Sequence, residues 1–157
     1  SGIGFDAHIS ELFSKFKKRG FINYIKLILK EINYKAQKYN IQYNKTKRKV
    51  NAYMISFANT SQYGNNAKIA PMANIQDGLL DFVLVKKFPK WKIPFFLLQI
   101  FNGKVHLSRY IEIVQSKKMK IITKNTLIHL DGEPYKTENP IRINLLEKSL
   151  KILKPNE

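Results

Sequence analysis

The sequence has no cysteine in its 157 residues, which excludes disulfide bonds, thiolate zinc sites and a cysteine nucleophile. It has no apolar run near the length of about 18 residues that a transmembrane helix needs. Its start also lacks the basic and apolar regions of a signal peptide. No Gly-x-Ser-x-Gly motif occurs, so nothing supports a serine hydrolase triad. These absences together predict a soluble, intracellular protein that is not a serine hydrolase.

Acidic side chains are scarce, with 11 Asp+Glu against 28 Lys+Arg and a formal net charge of +17. Residues 1–50 alone hold 12 Lys+Arg and 3 Asp+Glu, so +9 of the +17 lies in the first third. Such a field attracts nucleic acid, anionic lipid headgroups or nucleotide phosphates without choosing among them. A lysine bias in the source proteome would give the same charge with no partner at all.

The apolar content of 44% is enough for a buried core and one domain. Hydrophobic periodicity and capping residues predict helices at 7–16, with Asp6 as the cap, at 21–39 and at 88–103. Short strands separated by polar turns are predicted at 41–46, 50–58, 79–87, 110–115, 119–123, 127–130, 140–145 and 150–153. The predicted fold class is mainly β (α+β), an antiparallel β-sandwich with a few helices.

Two of the helices and one basic turn have more than one interpretation. The helix at 21–39 has an apolar stripe opposite lysines, which favours packing on a sheet, with a membrane surface as the alternative. The helix at 88–103 is apolar on nearly all sides, so it is expected in the core, with a lipid-facing role as the alternative. The basic residues of 45–49 are assigned to a turn that either meets phosphates or is simply solvated.

Chemistry is expected where polar turns interrupt apolar strands, within 57–85 and 129–134. Asp131 and Glu133 flank a glycine on a bend, and two such carboxylates can converge on one point. That arrangement suits a general base beside a group that orients a nucleotide or a metal ion. The alternative is structural, because Asp-Gly is also the commonest hairpin turn.

Two further aspartates and the three histidines are candidates for metal binding or other chemistry. Asp77 lies in a turn where its carboxylate and nearby carbonyls suit a hard cation. Asp81 lies within an apolar strand and is expected to face solvent, a cation or an interface. The histidines show no metal-ligand spacing and are interpreted as structural or exposed; they are His8, His106 and His129.

Five short motifs occur in an order that resembles a known family. They are residues 1–7 (SGIGFDA), Asn59 with residues 63–66 (YGNN), residues 69–73 (IAPMA), residues 77–81 (DGLLD) and residues 130–134 (LDGEP). Together they span the chain and resemble the C-terminal half of bacterial diacylglycerol kinase-like lipid kinases, relatives of sphingosine and ceramide kinases and more distantly of NAD kinases. Each motif is weak alone, but five in the same order are specific.

The resemblance implies a two-domain kinase whose active site lies between its domains. Residues 1–157 would be the C-terminal β-sandwich domain. The N-terminal α/β nucleotide-binding domain would be absent from this chain, since no Gly-Gly-Asp-Gly-Thr loop occurs in it. The resemblance also implies that Glu133 accepts the proton of the lipid hydroxyl, with Asp131 beside it at ATP and Mg²⁺.

A structural cation is implied as well, bound by Asp77, the Leu79 carbonyl and a group near Asn74. The expected function is the lipid-acceptor and catalytic-base domain of an ATP-dependent lipid kinase, with the chain alone inactive because it lacks the parts that position ATP. The expected location is cytoplasmic, peripheral to the inner face of the membrane.

The expected partners are a lipid substrate at the membrane surface and ATP shared with the missing domain, with no nucleic acid. A homodimer is a further expectation, formed by pairing of an edge strand of the sandwich with its copy. Two alternatives stay open: a non-catalytic module that binds RNA or anionic membrane, and NAD kinase-like phosphorylation of a soluble nucleotide. The sequence does not distinguish diacylglycerol, a sphingoid base, ceramide or a polyprenol as the acceptor.

Overall fold

A computed structural model describes residues 1–16, 20–64 and 66–149 of the chain. Its helices are α1 (Phe5–Ser14), α2 (Phe21–Lys30) and α3 (Ile93–Phe101), and short 3₁₀ turns cover Lys90–Lys92 and Val105–Leu107. Its strands are β1 (Gly2–Gly4), β2 (Gln37–Tyr43), β3 (Thr46–Ala58), β4 (Gln62–Gly64), β5 (Ala67–Lys68), β6 (Leu80–Lys86), β7 (Ile111–Ser116), β8 (Lys118–Ile122), β9 (Leu127–Leu130), β10 (Glu133–Lys136) and β11 (Ile141–Asn144).

A nine-stranded antiparallel sheet forms the body of the fold, and the long strand β3 is at its centre. β2 and β1 follow one another along one edge of β3, while β6 pairs with the opposite edge. From these strands the sheet continues as β1–β9–β10, β2–β8–β11 and β6–β7. The sheet curls into a half-barrel, which confirms the predicted mainly β, antiparallel class.

Strand β6 joins two apolar cores. Phe82 and Leu84 belong to a core shared with β1, β2, β3, β8 and β11, whereas Val83 and Val85 belong to a second core that α3 packs against. Successive side chains of a strand point to opposite faces of the sheet. β6 is therefore covered on both faces, which explains why its sequence is an almost continuous apolar run.

The predicted helix at 21–39 is wrong beyond residue 30. α2 ends at Lys30, a turn covers 31–33, and β2 starts at Gln37. Tyr39 and Ile41 are buried between exposed polar neighbours, which is the period of two that marks a half-buried strand. Pairing of β2 with both β3 and β8 outweighs the helical preference of the preceding residues.

The predicted basic turn is shorter than expected. β2 and β3 are joined by Asn44 and Lys45 alone, because their register pairs Tyr43 with Thr46. Arg48 therefore lies inside β3, where its guanidinium forms an ion pair with Glu112 of β7. β1, β4, β5 and β10 were not predicted from the sequence, and the strand predicted at 150–153 lies outside the described residues.

The expectation of a core helix at 88–103 is also wrong. No residue of α3 is buried. Ile93, Phe96 and Ile100 pack against the second core, while Phe95 and Leu98 are 61% and 58% exposed. In the part of the chain that the structure describes, no helix has the length and apolar character to cross a membrane.

The expectation that Asp81 of β6 faces solvent is wrong. It is 1% exposed, and one of its carboxylate oxygens accepts a hydrogen bond from Gln115 Nε2 at 3.4 Å. Its other oxygen is buried and has no hydrogen-bond partner among the described residues. Burial raises the pKa of Asp81 above its ordinary value, and the bond from Gln115 offsets only part of this.

The substitution Asp81→Asn is expected to stabilise the fold at neutral pH by on the order of 1 kcal/mol, because no charge is then buried. A raised carboxyl pKa means that the native state holds its proton more tightly. Stability is therefore lost as the pH rises from the ordinary value of about 4 through the folded-state value. Denaturant titrations of both proteins at about pH 3.5 and pH 7 test this. The two should be similar at the lower pH, and a variant no more stable at pH 7 would contradict the prediction.

Candidate active site

The predicted catalytic carboxylates lie on the hairpin between β9 and β10. Asp131 and Gly132 form its two-residue turn with φ values of 47° and 92°, the positive values that a type I′ turn requires. Glu133 starts β10 and pairs with Leu130 across the hairpin. The Asp131 side chain is 96% exposed, and its Oδ1 accepts a hydrogen bond from the Ser1 hydroxyl at 3.2 Å. Asp131 and Gly132 thus form the hairpin turn that the structural alternative predicted. This turn leaves both carboxylates accessible to a ligand.

A cavity of about 1370 Å³ opens beside this turn. Its walls are mostly apolar and come from the inner faces of α1, α2 and α3 and from the end of β3. Asp131 and Gly132 line it, whereas the described lining residues do not include Glu133. Asn59 and Thr60, from the central polar stretch of the sequence, line it too. An apolar cavity with a carboxylate at its edge suits a long apolar ligand with one polar group.

A buried pair behind the turn was missed by sequence reasoning. Asp6 Oδ2 lies 2.5 Å from His129 Nε2, with side chains 5% and 3% exposed. The Gly132 N–H donates to His129 Nδ1 at 3.3 Å, so Nδ1 is an acceptor and Nε2 carries the proton that Asp6 accepts. The chain of bonds runs from Asp6 through the imidazole to the turn that carries Asp131.

Tyr24 of α2 completes the surroundings of Asp6. Burial raises the pKa of the Tyr24 hydroxyl far above its ordinary value, and the charge and hydrogen bond of Asp6 raise it further. A Cβ atom at Gly2 would lie 3.0 Å from Asp6 Oδ2 and 3.1 Å from His129 Nε2. The absence of a side chain at Gly2 therefore lets β1 pass close over the pair.

The sequence prediction that Asp6 caps α1 is wrong. The helix starts two residues before the predicted start, at Phe5, so Asp6 lies in its first turn, and the helix has no side-chain cap. The sequence contains only part of the signal for this pair: His129 is the polar residue of an apolar strand, and Asp6 lies two residues after the end of β1. Nothing in the sequence joins two residues that are 123 positions apart.

The residues predicted for a structural cation lie together in the loop before β6. Asp77 Oδ1 accepts a hydrogen bond from the Leu79 N–H at 2.8 Å, and Asn74 Oδ1 accepts one from the Gln76 N–H at 2.9 Å. Carboxylate and carbonyl oxygens are the ligand types that hard cations prefer, so the loop has suitable ligand atoms for such an ion. Among the described residues, no group of three or more His, Asp or Glu side chains is placed to hold a metal. A cation there would depend on Asp77, carbonyl oxygens and water, and the site stays a prediction.

The comparison with known protein families decides where the fold belongs. Residues 2–154 match the family model of the YegS C-terminal NAD kinase beta sandwich-like domain. The chain belongs to this family. The match covers nearly the whole chain and includes the β9–β10 hairpin.

Two curated relatives of this YegS domain have the same name, "Probable lipid kinase YegS-like". The protein from Shewanella frigidimarina is 34% identical over 103 residues, which cover 64% of this chain and 33% of the relative. The protein from Chromohalobacter salexigens is 26% identical over 113 residues, covering 71% of this chain and 36% of the relative. The chain thus spans about a third of the length of these relatives.

Solved structures have the same fold. A diacylglycerol kinase from Bacillus anthracis superposes with a TM-score of 0.57 at 23% identity, covering 91% of this chain and 47% of that one. Another chain from the same organism superposes with a TM-score of 0.64 at 24% identity, covering 83% of this chain and 46% of that one. At these identities the similarity establishes the fold of the YegS domain and leaves its chemistry to the residues of the site.

Proposed function

We propose that this chain is the lipid-acceptor domain of an ATP-dependent lipid kinase, and that a carboxylate of the β9–β10 hairpin takes the proton from the acceptor hydroxyl. The observation that carries the proposal is the apolar cavity of about 1370 Å³ with Asp131 at its edge. The cavity would take the acyl chains, and the hydroxyl would lie at the hairpin. The names of the two curated relatives support a lipid as the acceptor.

A general base near the hydroxyl raises the rate because the attacking oxygen becomes a better nucleophile as its proton leaves. In the proposal, Glu133 is this base and Asp131 lies beside it toward the phosphates. Both are exposed side chains of a short hairpin, so a second domain could approach them. The hairpin is held from behind by the bond from the Gly132 N–H to His129, which would keep the carboxylates in place.

ATP and Mg²⁺ would be held mainly by a nucleotide-binding domain joined to this one. The carboxylates of Asp131 and Glu133 fit a Mg²⁺ ion in ligand type, because this ion prefers oxygen ligands and keeps several waters. When bound, the ion would neutralise charge on the transferred phosphoryl group. The residues of this chain would bind the lipid, orient its hydroxyl and accept its proton.

An apolar acceptor is favoured over a soluble nucleotide by the composition of the cavity walls. Phe13, Ile28, Phe57 and Phe96 line the cavity, and such side chains offer a nucleotide few hydrogen bonds. Competition between vesicle-borne lipids and soluble nucleosides or dinucleotides separates the two functions. Phosphorylation of a soluble acceptor that lipid does not inhibit would support the NAD kinase-like alternative.

The direct test joins these residues to their nucleotide-binding domain and follows transfer of labelled γ-phosphate from ATP. Vesicles would carry, one at a time, diacylglycerol, a sphingoid base, ceramide or a polyprenol. We expect one of these lipids to be labelled, and the labelling to require Mg²⁺. Vesicle or RNA binding that falls steeply with salt, with no lipid labelled, would contradict the proposal and favour a non-catalytic polyanion-binding module.

A further inference from the structure

The outer side of α3 and its leading 3₁₀ turn exposes three large apolar side chains. Trp91, Phe95 and Leu98 are 67%, 61% and 58% exposed, and we refer to these three residues as the α3 surface. Phe95 and Leu98 are three residues apart on one helix, so their side chains are neighbours. Large apolar side chains grouped in this way mark a surface that meets another molecule or a membrane.

The segment of sequence that holds the α3 surface carries charge of one sign. Between Asp81 and Glu112 the sequence has no acidic residue and six basic ones, Lys86, Lys87, Lys90, Lys92, Lys104 and Arg109. Of these, Lys86 forms an ion pair with Glu112 at 2.8 Å. Lys90 and Lys92 flank Trp91 directly, and Lys92 Nζ lies 5.1 Å from the centroid of the Trp91 ring. Lysines beside an aromatic group are typical of elements that lie in a lipid headgroup layer.

The α3 surface is also placed beside the cavity. Ile93, Phe96 and Ile100, on the inner side of the same helix, line the cavity. One helix thus separates the apolar cavity from the exposed apolar surface. α2 lines the cavity as well, and Lys90 Nζ donates to Asn33 Oδ1, just beyond α2, at 2.5 Å. A lipid that moves from a bilayer into the cavity would have a short path past these helices.

We propose that the α3 surface docks on an anionic phospholipid bilayer, with Trp91, Phe95 and Leu98 inserted at the headgroup boundary and the neighbouring lysines against lipid phosphates. The proposal rests on the proposed function in that it names the face through which the lipid enters. The charge argues for a bilayer over a second copy of this chain. Two copies meeting at this face would bring lysines against lysines, whereas anionic headgroups attract them.

Trp91 makes the proposal directly measurable, because the 157-residue chain contains one tryptophan. Its fluorescence would be recorded while the chain is titrated with vesicles of phosphatidylglycerol and phosphatidylcholine, and with phosphatidylcholine alone. With anionic vesicles we expect a blue shift and protection of the indole from an aqueous quencher. Vesicle sedimentation would measure total binding in parallel, and neither readout depends on phosphoryl transfer.

Variants separate insertion from general attraction between a basic protein and an anionic surface. Phe95→Ser and Leu98→Ser are each expected to weaken partitioning about tenfold, the effect of losing a large part of one buried apolar side chain. The matched control is Leu146→Ser, which removes an equally apolar side chain that is 73% exposed near the Lys117–Glu147 pair. This control should bind like the wild type.

A second pair of variants tests the charges. Lys90→Gln with Lys92→Gln should weaken binding to anionic vesicles by about fivefold for each lysine. Lys45→Gln with Lys47→Gln removes the same charge at the β2–β3 hairpin. This change should alter binding by no more than about twofold, because salt screens the attraction between the bilayer and charges that lie away from the α3 surface.

Three outcomes would overturn the docking proposal. Sedimentation with vesicles while Trp91 stays in water would mean that another face binds. Equal effects of the α3 and control substitutions would mean that binding is unspecific. A blue shift that grows with protein concentration in the absence of vesicles would mean that a second copy covers the surface. Lipid phosphorylation with no insertion of Trp91 would reject this inference and keep the proposed function, and insertion with no phosphorylation would do the reverse.

Discussion

Removal of the Asp6 carboxylate by Asp6→Ala is expected to lower the free energy of unfolding by about 3–5 kcal/mol. The carboxylate is buried against His129 at 2.5 Å and accepts a hydrogen bond from Tyr24. Without it, the buried imidazole N–H and the half-buried tyrosine hydroxyl both lose this acceptor, and a polar group that loses its acceptor away from water carries a desolvation penalty. Denaturant titration of the 157-residue chain measures the change.

The matched control for this pair lies on the same helix. His8 of α1 contacts Glu31 at 3.0 Å, but these side chains are 28% and 29% exposed, so water can replace the lost partner. Glu31→Ala should therefore cost about 1 kcal/mol or less. The double variant Asp6→Ala/His129→Ala should cost clearly less than the sum of its single variants, because the groups depend on each other. Equal costs at the two pairs, or additive costs at the buried pair, would contradict the argument.

Most of the sheet could be predicted because its signals are local. In β11, Ile141 and Ile143 alternate with polar residues, and the period of two is readable from four positions. The Asp131-Gly132 turn is equally local, since the positive φ values that it needs are those that Asp and Gly accept. For the same reason the predicted antiparallel class is confirmed although several strand ends differ.

The errors occur where long-range packing decides the structure. Residues 37–39 follow a helical pattern closely enough to have been included in the predicted helix at 21–39, and pairing with the strands on both sides of β2 makes them part of a strand. The burial of Asp81 was not predictable because it depends on β7, which starts 30 residues later. The exposure of α3 was missed because its apolar composition is typical of a core helix, whereas Phe95 and Leu98 on its outer side are 61% and 58% exposed.

The candidate site, too, was predictable from local sequence only in part. The two carboxylates of the hairpin are visible in the sequence because acidic residues are so few. The cavity beside them is not visible, since its walls come from three helices and a strand that are far apart in the chain. Asp6 of the first motif bonds to His129, and His129 accepts a hydrogen bond from Gly132 of the last motif, which gives a structural reason why residues of both motifs occur in one site.

Replacement of the proposed base by Glu133→Gln is expected to lower the rate of lipid phosphorylation by about 10²- to 10⁴-fold. Glutamine keeps the size and hydrogen-bonding capacity of the side chain but cannot accept the proton. Because a base acts in the transition state, kcat should fall while KM for the lipid changes little. Initial rates of γ-phosphate transfer from ATP to the lipid, in the polypeptide that includes the nucleotide-binding domain, provide the measurement.

The comparison with Asp131→Asn decides which carboxylate is the base. Asp131 lines the cavity, and Glu133 is not among the described residues that do so, so the two variants need not lose the same activity. If Asp131 only orients the phosphates and Mg²⁺, its loss should be overcome in part by more Mg²⁺, while the loss at Glu133 should not. Glu138→Gln, which neutralises an exposed carboxylate just beyond β10, is the control and should keep the wild-type rate. Full activity of Glu133→Gln would move the base to Asp131 or to the other domain and leave Glu133 as a residue of the hairpin alone.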